Sequence, residues 1–159
     1  MNGPFYFVKS CSEITHPMTD RAKLALAVSY QFAWEQRSPT VEPEHILRAI
    51  GSIDRGVGRR VLDELGIDLF GLLPEIVELL PPLPSKQPYE MPRLGEHGIT
   101  FFNDARAAAN ELNHHYLGTE HLVLGLLCQE SAASTFLHDR GLTYASAIDA
   151  VKRLLGQHC

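Results

Sequence analysis

Two Glu-His pairs stand out in this 159-residue sequence, Glu44-His45 and Glu120-His121, set 76 positions apart. A carboxylate in the first turn of a helix favours the positive end of the macrodipole by ~0.3–1 kcal/mol. By that reading alone each glutamate is a helix-start charge. Each histidine is read as an imidazole partly buried and hydrogen-bonded to backbone. Metal binding is the alternative for the second pair, because "HHYLGTEH" sets His114 and His115 close to His121. A tetrahedral centre needs three or four converging ligands, however, and this spacing matches no standard zinc pattern. The expectation is no metal and no cofactor. Cys128, in the apolar run "HLVLGLLC", reads as a small buried hydrophobe, in surroundings that disfavour a thiolate nucleophile. No HExxH, GxSxG or GxxxxGK occurs, so neither metalloprotease, serine hydrolase nor ATPase chemistry is expected, and the chain reads as a non-enzyme.

The charge balance narrows the partners. With 14 Lys+Arg against 19 Asp+Glu the formal net charge is −5, and no basic run interrupts it. Nucleic acid and anionic membrane are therefore poor partners, and a neutral or basic polypeptide is a better one. Three widely spaced cysteines (11, 128 and 159) make neither a disulfide framework nor a CxxC pair, which suits a reduced, cytoplasmic protein. No apolar stretch approaches the ~20 residues that span a bilayer, and the N-terminus lacks the pattern of a signal peptide.

The elements that must position these residues come in two matching sets. Glu44-His45 aligns with Glu120-His121 at an offset of 76, and Gly66 with Gly141 at an offset of 75, which marks an internal duplication. Within the first half, Thr19-Asp20 is an N-cap signal. Leu24, Ala27, Val28, Gln31, Phe32 and Trp34 then follow at helical spacing, which predicts a core-facing stripe. The second half answers with Ile99, Phe101, Phe102, Ala105, Ala108, Ala109 and Leu112. Second helices start at Pro43-Glu44 and at Thr119-Glu120, where Thr119 suits a cap. Third helices end at Gly66 and Gly141. Fourth helices span about 68–80 and 143–155, the latter ending at Gly156. Pro74 either kinks the first of these or delays its start. The expected fold is all-α, about eight helices, with hardly a β signal. Residues 1–17 form an N-terminal extension, 18–80 one repeat, 81–95 a proline-rich extended connector and 96–159 the second repeat. Phe5, Tyr6 and Phe7 are expected to pack back onto the domain, the alternative being a short extended peptide offered to a partner.

"MTDRAKLALA", "EHIL", "GVGRRVLDELGID" and "YLGTEHLVLGLL" resemble the Clp N-terminal repeat domain that precedes the AAA+ modules of the unfoldase ClpC, with related forms in ClpA and ClpB. The resemblance covers about 18–80 and 96–156. It implies two four-helix repeats related by a pseudo-twofold axis. It also implies a role: receiving substrates or docking adaptor proteins for an AAA+ Clp unfoldase. In the ClpC domain the matching glutamates grip the guanidinium of phosphoarginine, a degradation mark, so the resemblance points to Glu44, Glu120, Thr119, Thr19 and Arg21 as ligand-binding residues. A carboxylate pairs a guanidinium bidentately, and a helix start offers N–H groups to an anion. The sequence departs from the family where Pro43 replaces a Thr and where Gly95 and His97 stand opposite Thr19 and Arg21. A second reading is a freestanding regulator that competes for Clp adaptors, substrates or peptides.

Overall fold

The computed structural model describes residues 16–53, 56–80 and 91–155. Helix α1 spans Asp20–Glu35, α2 Pro43–Ser52, α3 Val57–Glu64 and α4 Leu73–Val77. The second half repeats the set as α5 Glu96–Glu111, α6 Thr119–Cys128, α7 Ala132–Asp139 and α8 Tyr144–Leu155. The all-α, two-by-four architecture is therefore as the sequence indicates. Residues Phe5, Tyr6, Phe7, Cys11, Gly156, Cys159 and most of the proline-rich connector lie outside the described residues.

The duplication is visible in the backbone. Arg37 and Asn113, 76 apart, both take left-handed angles (φ 58° and 60°) at the ends of α1 and α5. Gly66 and Gly141 do the same (φ 84° and 87°) after α3 and α7, where a side chain would be strained. Pro74 sits in the first turn of α4, so it delays the start of that helix, and residues 69–72 form turns instead.

A small amount of β pairing runs against the sequence expectation. Strand β1 (Thr40–Val41) pairs in parallel with β2 (Arg93–Leu94), and Met18 forms an isolated parallel bridge with Leu117. In each case the segment entering one half's first helix lies along the α1–α2 or α5–α6 loop of the other half. Two-residue strands leave no hydrophobic alternation to read, which is why the pattern gave no warning.

Helices α2 and α6 occupy the centre. Leu47, Ala49, Leu122, Val123, Leu124 and Leu126 are buried there, and α6 packs against α3, α5, α7 and α8. The first helix turns half of its expected stripe away from the core, although Val28 and Phe32 still pack against it. Its buried side is Ala22, Ala25, Leu26, Ser29, Tyr30 and Ala33, while Leu24, Gln31 and Trp34 are exposed. Small side chains let α1 lie close to α2, and buried Ser29 satisfies its hydroxyl on Leu26 O (2.7 Å). A hydrophobicity-weighted reading favours the larger outer residues and so shifts the stripe toward the wrong face. In α5 the expected stripe is buried except for Ile99.

Candidate functional site

Helices α2 and α6 begin where the two halves meet, and each contributes one side chain across the junction. The Gly58 N–H, in the first turn of α3, donates to Thr119 Oγ1 at 2.8 Å. At the matching place in the other half the Ala133 N–H, in the first turn of α7, donates to Glu44 Oε2 at 3.0 Å. Each bond satisfies a buried helix-start amide that has no partner within its own helix. Thr119 thus caps a neighbouring helix rather than its own, which Gly118 begins.

Glu44 and Glu120 are both buried, 8% and 2% exposed. Neither therefore lies on an open surface: Glu44 reaches across the junction to Ala133, and Glu120 is enclosed beside Tyr116 of its own half. Burial raises the Glu44 carboxyl above its ordinary 4.5, and the amide of Ala133 pulls it back. Glu120 is raised for the same first reason, and its own amide and the Tyr116 hydroxyl, which donates to Oε2 at 2.9 Å, lower it. Thr19 caps α1, accepting from the Ala22 N–H at 3.1 Å, and Arg21 is exposed on that helix. The structure brings Glu44 to α7 and Thr119 to α3, but it shows no contact joining Thr19 or Arg21 to either glutamate.

The two histidines are buried completely and do the same local work. His45 Nδ1 accepts the Glu42 N–H at 3.0 Å, and His121 Nδ1 accepts the Gly118 N–H at 2.9 Å. Burial is the first cause that lowers His45 to about 4 and His121 to about 3, so both rings are neutral at pH 7. A neutral ring that accepts at Nδ1 carries its proton on Nε2. In the first half that proton goes to Gln36 Oε1 (2.6 Å), and in the second to His114 Nδ1 (2.7 Å).

His114, His121 and Glu120 bring ligand atoms within 4.8 Å of one another. The donor set does not fit a metal. Ligation through His121 Nε2 would move its proton to Nδ1, facing the Gly118 N–H, whereas a ligating histidine normally donates its other N–H to an acceptor. His45 makes the same backbone bond with a glutamine as its partner, so the arrangement reads as a helix-start network.

Cys128 departs from expectation. It is exposed as the last residue of α6, although Leu126 and Leu127 just before it are buried. Packing around the sulfur, then the Asp104 and Glu111 carboxylates, push the thiol up, so a thiolate is disfavoured.

The sequence reading missed an apolar groove. Ala27, Tyr30, Gln31, Trp34 and Met91 line a cavity of about 160 Å³ along the outer face of α1. Trp34 and Met91 are 41% and 49% exposed, and Leu24, at 41%, continues the stripe. A signal existed: α1 carries apolar residues on two faces, and a helix needs only one for its core.

Comparison with known proteins places this duplicated helical bundle, whose buried polar groups serve helix starts. The family model described as the Clp repeat (R) N-terminal domain matches residues 17–140 and 96–158. The chain belongs to that family, whose domain is a non-catalytic protein-interaction module that generally mediates substrate or adaptor binding. It is 34% identical over 116 residues to a probable ATP-dependent Clp protease ATP-binding subunit of Chlamydia pneumoniae, covering 73% of this chain and 14% of that protein. It is 28% identical over 141 residues to the chaperone protein ClpB of Oceanobacillus iheyensis, covering 88% of this chain and 17% of the relative. The chain thus spans about one-sixth of the length of these curated relatives. Among solved structures it superposes on the Hsp104 N-terminal domain from Candida albicans (TM-score 0.72, 17% identity, 89% and 93% of the two chains). The N-domain of ClpV from Vibrio cholerae matches with TM-score 0.73 at 19% identity, over 88% and 86%. These two likenesses concern the fold. None of the described helices is long and apolar enough to cross a membrane.

Proposed function

We propose that this chain receives polypeptides, substrates or adaptors, on behalf of an AAA+ Clp unfoldase, by reversible docking and without chemistry of its own. The observation that supports it is the exposed stripe of Leu24, Trp34 and Met91 beside a shallow groove. An extended apolar segment gains on the order of 25 cal/mol per Å² of apolar surface removed from water there. Because Trp34 is the one tryptophan of the chain, its emission reports directly on the groove. Titration with a tryptophan-free apolar peptide is expected to shift that emission saturably, and Leu24→Ser with Met91→Ser to weaken the binding about tenfold. Absence of any saturable shift, with the fold intact by circular dichroism, would overturn the groove.

The narrower reading is phosphoarginine recognition through Glu44 and Glu120. What supports it is that Glu44 already lies at the amides of a helix start, the two chemistries that guanidinium and phosphate require. It requires Glu44 to exchange its bond to Ala133 for the ligand. Calorimetric titration with phosphoarginine, with arginine and phosphoserine as controls, tests it. Binding lost in Glu44→Ala and Glu120→Ala supports the degron receptor. No heat from phosphoarginine removes it and leaves docking at the groove. Co-purification with a Clp unfoldase or adaptor supports partnership, and binding only to their shared ligands supports the competing regulator.

A further inference from the structure

The two buried histidines differ in one respect that the proposed function does not use. His45 gives its Nε2 proton to Gln36 Oε1, an amide oxygen that does not titrate in the physiological range. His121 gives its own to His114 Nδ1, which does. A proton arriving on His114 Nδ1 would point at the proton already on His121 Nε2. His121 has no second tautomer to offer, because its Nδ1 lone pair is taken by the Gly118 N–H. The 2.7 Å pair then has two donors and no acceptor, and the rings must separate.

What the pair holds is specific. His114 begins the turn that leads into α6, and it stacks on Tyr116 (centroids 5.1 Å, 14°). The next residue of that turn, Leu117, donates its N–H to Pro17 O (2.8 Å) and accepts from the Thr19 N–H (3.0 Å). These bonds are the Met18–Leu117 bridge, the attachment of the chain entering α1 to the second half. The groups facing the pair are His16 from the segment before α1, His115 and Tyr116 from the α5–α6 turn, and Glu120 from α6, whose carboxylate lies 3.9 Å from His121 Nε2. His16 and His115 oppose a further proton and Glu120 favours one. We propose that the His114–His121 pair is an acid-opened latch that, when it separates, frees the segment 16–19 from Leu117 while the corresponding β1–β2 pairing of the other half stays shut. Burial, then His115, holds His114 below its ordinary 6.5, so the latch is closed at neutral pH.

Amide hydrogen exchange read by NMR, as protection factors that remove the intrinsic pH dependence, tests the latch. Protection of the Leu117 and Thr19 amides is expected to fall about tenfold or more between pH 7 and pH 5, since one linked proton gives up to tenfold per pH unit. The Arg93 amide, which donates to Pro39 O in the other half, reports the loss of global stability that both halves share, and the fall at Leu117 and Thr19 is read as the excess over it. His114→Gln copies the first half's solution and should abolish the fall, whereas Gln36→His should introduce one at Arg93. A parallel loss at Leu117 and Arg93, or an excess loss that persists in His114→Gln, overturns the proposal. Should the variants not fold, the wild-type ring resonances decide. A His114 titration midpoint shared with the Leu117 amide supports the latch, and midpoints that differ overturn it.

Discussion

Gly58 of α3 and Ala133 of α7 are counterparts, 75 positions apart, and both present a buried helix-start amide to the other half. The first is met by a threonine hydroxyl and the second by a glutamate carboxylate. The difference follows from what approaches what. A Cβ on Gly58 would fall 2.6 Å from Thr119 O and 2.8 Å from its carbonyl carbon, so bare backbone lets α6 come in close enough for a short side chain. Gly56 makes room for the same threonine. Across the pseudo-twofold, Ala133 already carries its methyl, Pro43 has no hydroxyl to offer, and the longer Glu44 spans the gap. Duplicated halves therefore conserve the group to be satisfied, not the residue that satisfies it.

Filling the close contact should have the largest effect. Gly58→Ala places a methyl against backbone that cannot swing aside, and overpacking of this kind costs ~3 kcal/mol. Ala133→Gly, its counterpart, should cost only ~1 kcal/mol through helix propensity. Urea denaturation of both variants checks the order, and equal losses would mean that the two junctions are not built differently.

Next come the caps. Glu44→Ala leaves the Ala133 N–H buried without a partner and removes a charged acceptor, worth about 2 kcal/mol. Thr119→Val keeps the shape and removes a neutral acceptor, worth about 1 kcal/mol. Denaturation midpoints at pH 7 should rank the two in that order.

The histidines set a pH dependence that both halves share. Their folded values, about 4 for His45 and about 3 for His121, lie below the ordinary 6.5. From pH 6.5 downward the unfolded chain therefore takes protons that the folded one refuses, and stability falls with pH until the folded values are passed. Each imidazole contributes on the order of 2 kcal/mol of loss between pH 6.5 and 5. Glu44 and Glu120 act in the opposite sense, because their raised folded values make protonation favour the fold as pH approaches 4.5. A denaturation series should show a net loss below pH 6.5, reduced by about half in His45→Phe. A flat profile would mean that the rings are not buried neutral.

Much of this was legible from residue spacing. The paired Glu-His landmarks and the Gly66 and Gly141 stops gave two sets of four helices, because duplication and C′ glycines leave strong local marks. The face of α1 was not legible, since its buried side is mostly alanine and serine and hydrophobicity ranks Leu24 and Trp34 above them. Nor was the placement of Glu44. Its carboxylate meets an amide 89 positions away, and spacing says nothing about partners so distant. Cys128 misled for a third reason: an apolar run is buried only until its helix ends.

The smallest effect belongs to the ion pairs that also join the halves. Arg140 meets Glu75 at 2.5 Å and Arg153 meets Glu64 at 3.1 Å, all four side chains at least 30% exposed. They sit at the rim of the junction that Thr119 and Glu44 close from inside, so they share its geometry but not its dryness. Water screens such pairs and their long side chains lose freedom on pairing, which leaves each within about 0.5 kcal/mol of nothing. Arg140 also stacks on Phe136 and donates to its carbonyl, so it keeps its place without Glu75. Glu75→Gln and Glu64→Gln should therefore shift the denaturation midpoint little, and the double variant should equal their sum. A loss from either that rivals Thr119→Val, and that shrinks with added salt, would move the hold between the halves from the buried caps to the surface.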